Sequence, residues 1–130
     1  MNIPAELKFA VSDEWVRIEG DLAVIGVSDY AQDSLSDVVF FEAVVSVGDK
    51  VAVKTQIATV ESVKAAADIN APVSGTVVAI NEGLGSAPEV INSDPYGAGW
   101  MVKIKVSNPE DLNHLLDAAG YEKYLAEREH

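Results

Sequence analysis

Short runs of β-branched and aromatic residues, separated by glycine-containing turns, constrain the fold of this chain more than any other feature. The runs EWVRIEG, LAVIGVS and DVVFFEAVVSVGDKV are followed by KVAVKTQIATVES, KAAADINAPVSGTVVAINE and WMVKIKVS. Such runs are typical of strands, and the Gly-Asp pairs between them are typical of turns. Pro72 and Gly75 are poorly suited to a central strand interior and divide the longest run. The pattern predicts a mostly β fold, and a weak repeat in the middle of the chain predicts two halves of one β-sandwich.

A short internal segment, DYAQDSLSD, departs from the strand pattern. Tyr30, Ala31 and Leu35 can share one side of a helix, and Ser28 or Asp29 can cap its amino end. We therefore expect one short helix inside the β-rich part of the chain.

The carboxyl-terminal segment SNPEDLNHLLDAAGYEKYLAERE also predicts helices. Ser107 or Asn108 can cap the first helix, Pro109 suits its first position, and Gly120 can end it. The expected apolar stripe consists of Leu112, Leu115, Leu116 and Ala119. A second short helix would use Tyr121, Tyr124 and Leu125. At 130 residues we expect one domain, 1–130, with a β-rich core at about 8–106 and a helical segment at about 108–128.

The charge of the chain excludes several classes of partner. Nine Lys and Arg residues stand against 21 Asp and Glu residues, for a formal charge of −12, which repels phosphate backbones and anionic lipids. No segment approaches the roughly 20 apolar residues of a membrane-spanning helix. We expect a soluble protein that binds neither nucleic acid nor membrane, in the cytoplasm if bacterial or in the mitochondrial matrix if it is a processed eukaryotic chain.

One lysine occupies an unusual position. In VESVKAAADI, Lys64 lies among small and apolar residues, near the turn that would join the two halves of the sandwich. A tight turn holds its backbone in place and projects its side chains into solvent. Most lysines at turns are simply solvated charges, but the same geometry suits an amine that must remain accessible to chemistry.

The sequence indicates no catalytic or metal-binding set. There is no cysteine, and the two histidines, His114 and His130, lie on the expected helix and at the terminus, where solvated side chains are the better interpretation. The glycines of NEGLGSAPE lack the lysine of a phosphate-binding loop and predict an ordinary turn. We expect the larger aromatic residues to lie in the core. These are Trp15, Phe40, Phe41, Tyr96 and Trp100.

Several separated segments resemble the glycine cleavage system H protein family. VESVKAAADINAPVSG is similar to its lipoylation segment, in which the modified lysine lies in an ESVKA context, and the similarity covers nearly the whole chain. DEWVRIEGDLAVIGVSDYAQDSLSDVVFFEA resembles its amino-terminal half, and NSDPYGAGWMVKIK resembles its later half. The resemblance implies a lipoyl/biotinyl-type β-sandwich, a barrel-sandwich hybrid, with a short internal helix and carboxyl-terminal helices.

The resemblance also implies that Lys64 carries lipoate in amide linkage to its side-chain nitrogen. Glu61, Val63 and Ala65 would provide the context that the lipoate-attaching enzyme recognises, although a solvated turn is an equally good interpretation of Glu61. Biotin carriers share this fold but place methionines beside their lysine, whereas the flanking residues here are Val63 and Ala65. Biotin is therefore the alternative modification.

A protein of this family is a carrier with no catalytic activity of its own. The resemblance implies that it takes an aminomethyl group from glycine decarboxylase, which uses pyridoxal phosphate, and delivers it to a tetrahydrofolate-dependent aminomethyltransferase. Dihydrolipoamide dehydrogenase, which uses FAD, would then reoxidise the lipoyl arm. The family's cleft for the loaded arm would include Ser12, Glu14 and Asp68. An ordinary strand-end cap and two solvated acids are the alternative interpretation of these three residues.

Two departures from the family pattern concern the cleft and partner docking. Asp13 stands where a histidine is usual before the Glu-Trp pair, and Ala43-Val44 replaces the common Leu-Pro. Because of these departures, an alternative function remains open, that of an H-like lipoyl relay protein that serves other lipoate-dependent enzymes. An unmodified β-sandwich interaction module is the hypothesis from a different class.

Overall fold

The computed structural model describes residues 1–128 and consists mostly of antiparallel strands. His130, expected to be a solvated histidine, lies outside the described residues. The nine strands found in this range are β1 (Lys8–Phe9), β2 (Glu14–Glu19), β3 (Leu22–Val27), β4 (Val38–Ala43), β5 (Lys50–Val51), β6 (Gln56–Ser62), β7 (Ala66–Asn70), β8 (Gly75–Ile80) and β9 (Val102–Val106). Gly75 begins β8 and Pro72 lies outside the strands, so both residues divide the β7 to β8 segment as expected.

The strands form two sheets. One has six strands in the order β1-β2-β3-β9-β8-β5, and the other has three in the order β4-β6-β7. Buried side chains from both sheets form one core, because alternate residues of each strand point toward the opposite sheet. This core includes Ile25, Val77 and Ile104 from the larger sheet and Phe41, Val60 and Ile69 from the smaller sheet. The fold is the β-sandwich that the sequence predicts.

The internal helix α1 (Asp29–Leu35) forms where the sequence predicts it. The Ser28 hydroxyl accepts a hydrogen bond from the backbone N–H of Ala31, which is the interaction of an N-cap residue. A further single-turn helix, α2 (Gly83–Ser86), lies in NEGLGSAPE, the segment that the sequence predicts to be an ordinary turn, and another, α3 (Val90–Ser93), directly follows that segment.

The carboxyl-terminal helices break at a different position from the one expected. A 3-10 helix covers Pro109–His114 with Asn108 as its cap, and α4 covers Ala118–Arg128. Gly120 therefore lies inside α4 and does not end the first helix, so that prediction is wrong. The physical reason is a long-range backbone pairing: Leu116 exchanges two 2.8 Å hydrogen bonds with Phe9 of β1, which requires an extended conformation there.

Trp15 and its neighbours form a second, smaller cluster under α4. Trp15 is fully buried, and its indole N–H donates to the carbonyl of Pro95 at 2.9 Å. Gly26 lies directly beneath the indole ring, and a Cβ on that glycine would come within 2.7 Å of Nε1. Phe40 is the exception among the large aromatic residues, since it is 41% exposed. A β-bulge between Val38 and Phe40 shifts the register of β4 and turns Phe40 outward.

Candidate functional site

Lys64 lies at the tip of the hairpin that joins β6 to β7. The strands pair antiparallel with Glu61 opposite Ala66, so Ser62 to Ala65 form a tight connection. Ser62 holds this turn together: its backbone N–H donates to Ala65 O at 2.7 Å, and its hydroxyl oxygen accepts from the N–H groups of Lys64 and Ala65. The backbone is fixed while the lysine side chain is exposed, which is the arrangement that a modifiable amine needs.

The residues around Lys64 leave it accessible. Glu61, Val63 and Ala65 are all exposed, and Val63 retains 67% of its accessible surface. Ala65 and Ala66 are small and exposed. The side chain of Lys64 could therefore enter the active site of an attaching enzyme or carry a long group into solvent. The sequence predicted these residues as the attachment context but did not single out Ser62. A serine hydroxyl commonly stabilises a turn by hydrogen bonding to nearby backbone groups, and this is the signal that could have identified it.

A second element supports the hairpin from the side. The backbone N–H of Val63 donates to Asp37 O at 3.0 Å, which ties the turn to the residue before β4. Asn92 fixes that region in turn, because its amide donates to Ser36 O at 2.7 Å and its oxygen accepts from Val38 N at 2.8 Å. No local sequence pattern marks Asn92 for this role, since its partners lie 54 and 56 residues away.

Ser12 and Glu14 lie together in a cleft on the larger sheet. The cleft has a volume of about 390 Å³, and Asn70, Lys54 and His114 also line it. The Ser12 hydroxyl donates to Glu14 Oε1, and the backbone N–H of Asn70 donates to Glu14 Oε2 at 3.1 Å. The second bond connects β2 to the end of β7, the strand that begins just after Lys64.

Glu14 is almost completely buried, with 1% of its surface exposed. Burial raises the pKa of its carboxyl above the ordinary value, and the nearby charge of Asp13 acts in the same direction. The hydrogen bonds from Ser12 and Asn70 oppose the shift by stabilising the carboxylate. A buried carboxyl with a raised pKa in a cleft is typical of a functional position, because a cation there would replace the hydration that the carboxylate has lost.

Asp68 does not line this cleft. It is exposed on β7, two residues before Asn70, and its Oδ1 accepts from Gln56 Nε2 at 3.1 Å. Strand alternation places Asp68 and Ile69 on opposite faces of the smaller sheet. Of the three residues expected at the loaded-arm cleft, the structure brings Ser12 and Glu14 together and places Asp68 on the hairpin between Lys64 and that cleft.

Both departures from the family pattern have local structural roles. Asp13 has a left-handed backbone with φ of 80°, and its carboxylate accepts from Tyr121 and Arg128, both at 2.8 Å. The N–H of Val44 donates to Ile57 O at 3.0 Å and extends the pairing of β4 with β6. A proline at position 44 could not donate this bond.

Within residues 1–128, no group of three or more His, Cys, Asp or Glu side chains is placed to hold a metal ion. No helix in the same range is both long and apolar enough to cross a membrane.

Two sheets around one core, with an exposed lysine at the tip of the β6–β7 hairpin, define a lipoyl/biotinyl-type β-sandwich. The sequence model of the family described as Glycine cleavage H-protein matches residues 7–128. The chain belongs to the glycine cleavage H-protein family.

Relatives in this family are similar over nearly their whole length. The glycine cleavage system H protein of Psychrobacter sp. (strain PRwf-1) is 53% identical over 125 residues, which cover 95% of this chain and 98% of the relative. That of Idiomarina loihiensis is 54% identical over 127 residues, covering 97% and 98% of the two chains. The crystal structure of a glycine cleavage system H protein from Mycobacterium marinum has a TM-score of 0.84 at 30% identity and covers 98% of this chain and 100% of that one.

Proposed function

We propose that this protein is the lipoyl carrier of a glycine cleavage system, with lipoate in amide linkage to Nζ of Lys64. The observation that carries the proposal is the exposed lysine at the tip of a turn that Ser62 and the Asp37 carbonyl hold in place. Small, exposed neighbours leave room for an attaching enzyme. When bound, lipoate supplies the dithiolane sulfurs that a chain without cysteine does not have.

The carrier has no catalytic role of its own in this proposal. It receives an aminomethyl group from the pyridoxal-phosphate-dependent glycine decarboxylase and delivers it to the tetrahydrofolate-dependent aminomethyltransferase. The FAD-dependent dihydrolipoamide dehydrogenase then reoxidises the lipoyl arm. Tethering to a fixed hairpin raises the effective concentration of the carried group near each docked enzyme, which is the physical advantage of a protein-bound arm.

We further infer that Ser12 and Glu14 hold the loaded arm through its ammonium group. From Lys64 to Asn70 the strand spans roughly 20 Å at about 3.3 Å per residue. The arm would have roughly 14 to 16 bonds between the Lys64 Cα and the ammonium nitrogen, which reach about 17–20 Å when extended. The Glu14 carboxylate accepts a hydrogen bond from Asn70 N and therefore lies beside Asn70. The extended arm would be long enough to reach it from Lys64. Asp68 would face the arm on its way to the cleft.

We infer that residues 1–130 form one carrier domain, because the two sheets share a core and α4 packs on β1 and β2 through Tyr121 and Leu125. The relatives described above are bacterial, which supports a cytoplasmic location.

A reconstituted cycle tests the proposed function. The lipoylated protein, combined with the three enzymes, glycine, tetrahydrofolate and NAD⁺, should release ammonia and carbon dioxide continuously. Lys64→Arg should abolish this activity with native circular dichroism, whereas Lys123→Arg, which changes an exposed lysine on α4 outside the cleft, should retain it. Lipoylation at Lys64 without turnover in the cycle would instead favour a relay for other lipoate-dependent enzymes.

A further inference from the structure

The loop formed by residues 10–14, called the cleft loop below, supplies one wall of the cleft and is folded as a tight turn. The N–H of Asp13 donates to Ala10 O, and the N–H of Ala10 donates to Glu14 O, both at 2.9 Å. Asp13 has a left-handed backbone, with φ of 80°, which few residues other than glycine adopt. The turn brings Ser12 next to Glu14, and their side chains meet in the cleft.

Helix α4 holds the cleft loop through the hydroxyl group of Tyr121. Tyr121 is fully buried, and its O–H donates to Oδ1 of Asp13 at 2.8 Å. Because an ionised carboxylate can only accept, the Tyr121 proton points at Asp13 and the phenol oxygen accepts from the Ser28 hydroxyl, 2.7 Å away. Ser28 is also fully buried, and its N–H donates to Asp13 O at 2.9 Å. Two buried residues thus hold both the side chain and the backbone of Asp13.

Arg128, at the end of α4, holds the cleft loop at two further points. Its guanidinium donates to Asp13 Oδ2 at 2.8 Å and to the carbonyl of Val11 at 3.2 Å. Two tyrosine rings lie over the same guanidinium and restrict its movement. Both carboxylate oxygens of Asp13 therefore accept from α4, and the residues on either side of Ser12 are fixed by that helix.

We propose that Tyr121 and Arg128 are positioning residues for the loaded arm, which act through Asp13 to place Ser12 and Glu14 for contact with the ammonium group. The proposal rests on the role proposed above for Ser12 and Glu14. Neither Tyr121 nor Arg128 lines the cleft, so any effect of these two residues on the arm has to pass through the cleft loop. A charge-assisted hydrogen bond weakens steeply when its geometry is relaxed, which makes the fixed loop necessary for a strong contact.

The first test needs no lipoate and follows hydrogen exchange by NMR in the unmodified protein. The reporters are the N–H groups of Ala10 and Asp13 in the cleft loop and that of Asn70, which donates to Glu14. Tyr121→Phe removes only the hydroxyl and keeps the stacked aromatic ring. Protection of the three amides should fall by about tenfold or more, as expected for the loss of one hydrogen bond to a charged group.

Tyr96→Phe is the matched control. The Tyr96 hydroxyl also makes two hydrogen bonds, since it accepts from Asp29 N at 2.8 Å and donates to Asn2 O at 2.7 Å. Neither partner belongs to the cleft loop. After correction for its change in global stability, Tyr96→Phe should leave the three reporter amides as protected as they are in the wild type.

The second test is a double-mutant cycle on the aminomethylated protein, with complete lipoylation verified by mass. Without the transferase, Tyr121→Phe should speed the loss of ammonia and formaldehyde by about three- to tenfold, less than Glu14→Ala does, because the acid is still present. In the Glu14→Ala background, Tyr121→Phe should add nothing, since the acid that it positions is gone. Arg128→Lys, which keeps a cation beside Asp13, should decay more slowly than Arg128→Ala. Tyr96→Phe should decay as the wild type does.

The outcomes separate the role of the cleft from the role of α4. Decay at the wild-type rate in Glu14→Ala would overturn both roles. Faster decay in Glu14→Ala, with wild-type decay in Tyr121→Phe and Arg128→Ala, would overturn the positioning role alone. An equal increase from Tyr121→Phe in both backgrounds would also overturn it, because the hydroxyl would then act on overall stability and not through Glu14. Unchanged protection of Asp13 and Asn70 in Tyr121→Phe would do the same.

Discussion

Asp13 and Arg128 form an ion pair, with 2.8 Å between Oδ2 and Nη2, that joins the loop before β2 to the last turn of α4. The Arg128 guanidinium also lies over the rings of Tyr30 and Tyr124, at 4.7 and 5.2 Å. Because Asp13 stands between Ser12 and Glu14, this pair connects the carboxyl-terminal helix to the cleft. The residue that departs from the family pattern thus has a structural role in this chain.

Replacement of Asp13 should reveal this role as a loss of stability. Asp13→Ala removes the acceptor for Tyr121 and Arg128 and places a Cβ without a hydrogen-bonding group in a left-handed conformation. We expect the free energy of unfolding in urea to fall by about 1–3 kcal/mol. Asp13→Asn tolerates the backbone and keeps an acceptor, so it should lose clearly less. Equal stability of both variants and the wild type would show that the pair contributes nothing.

The buried carboxyl of Glu14 should make stability depend on pH. Its pKa is raised in the folded protein, so between the ordinary pKa of a glutamate and the folded pKa the native state binds more protons than the unfolded state. Stability therefore declines as pH rises through this window, and the penalty is fully present above it. Glu14→Gln should be more stable than the wild type at neutral pH, and the difference should shrink as the pH falls toward 4. A difference that is constant with pH in urea titrations would contradict this account.

Glu14 should also protect the carried group. A charge-assisted hydrogen bond in a sheltered cleft contributes about 1.5–3 kcal/mol, which corresponds to roughly ten- to a hundredfold in occupancy of the cleft. Purified aminomethylated Glu14→Ala should therefore lose ammonia and formaldehyde faster than the wild type when no transferase is present. Lipoylation at Lys64 and reoxidation by the dehydrogenase should be nearly unchanged.

Asp68→Ala provides a comparison within the same experiment. Since Asp68 is exposed and outside the cleft, its effect on the decay rate should be smaller than that of Glu14→Ala. Decay at the wild-type rate in both variants would remove both acids from the protective role.

The support that Asn92 gives to β4 should be measurable as both stability and modification rate. Asn92→Ala leaves Val38 N and Ser36 O without their side-chain partner, and we expect a loss of about 1–3 kcal/mol in the free energy of unfolding. Attachment of lipoate to Lys64 should slow, because the Asp37 carbonyl that holds the turn is less fixed. Ser93→Ala is the matched control, since its hydroxyl makes only a 3.5 Å contact with Val90 O. A normal attachment rate in Asn92→Ala would show that the support of β4 by Asn92 does not affect modification of Lys64.

The sequence predicted the strands, the internal helix and the exposed position of Lys64 because these depend on local pattern. Alternating β-branched residues, a Ser28 cap and small residues around a turn all act within a few positions. The features it did not predict depend on distant partners. Leu116 breaks the expected helix because it pairs with Phe9, and Phe40 turns outward because β4 slips its register against β6.

The same distinction applies to the candidate site. Lys64 and its neighbours were identified from one continuous segment, and resemblance identified Ser12 and Glu14. The contact of Glu14 with Asn70 spans 56 residues, and the bond from Arg128 to Asp13 spans 115. Pairings over such separations follow from the packing of the sheets and α4, which no local pattern encodes.

The mass of the intact protein, measured after incubation with lipoate, ATP and a lipoate-attaching enzyme, tests the central claim most directly. The account predicts an increase equal to one lipoyl group, located on the peptide that contains Lys64, in the wild type and in Lys123→Arg. Lys64→Arg should show no increase. An unchanged mass of the wild-type protein, a biotinyl mass after incubation with biotin and its ligase, or a lipoyl group on a lysine other than Lys64 would contradict the account.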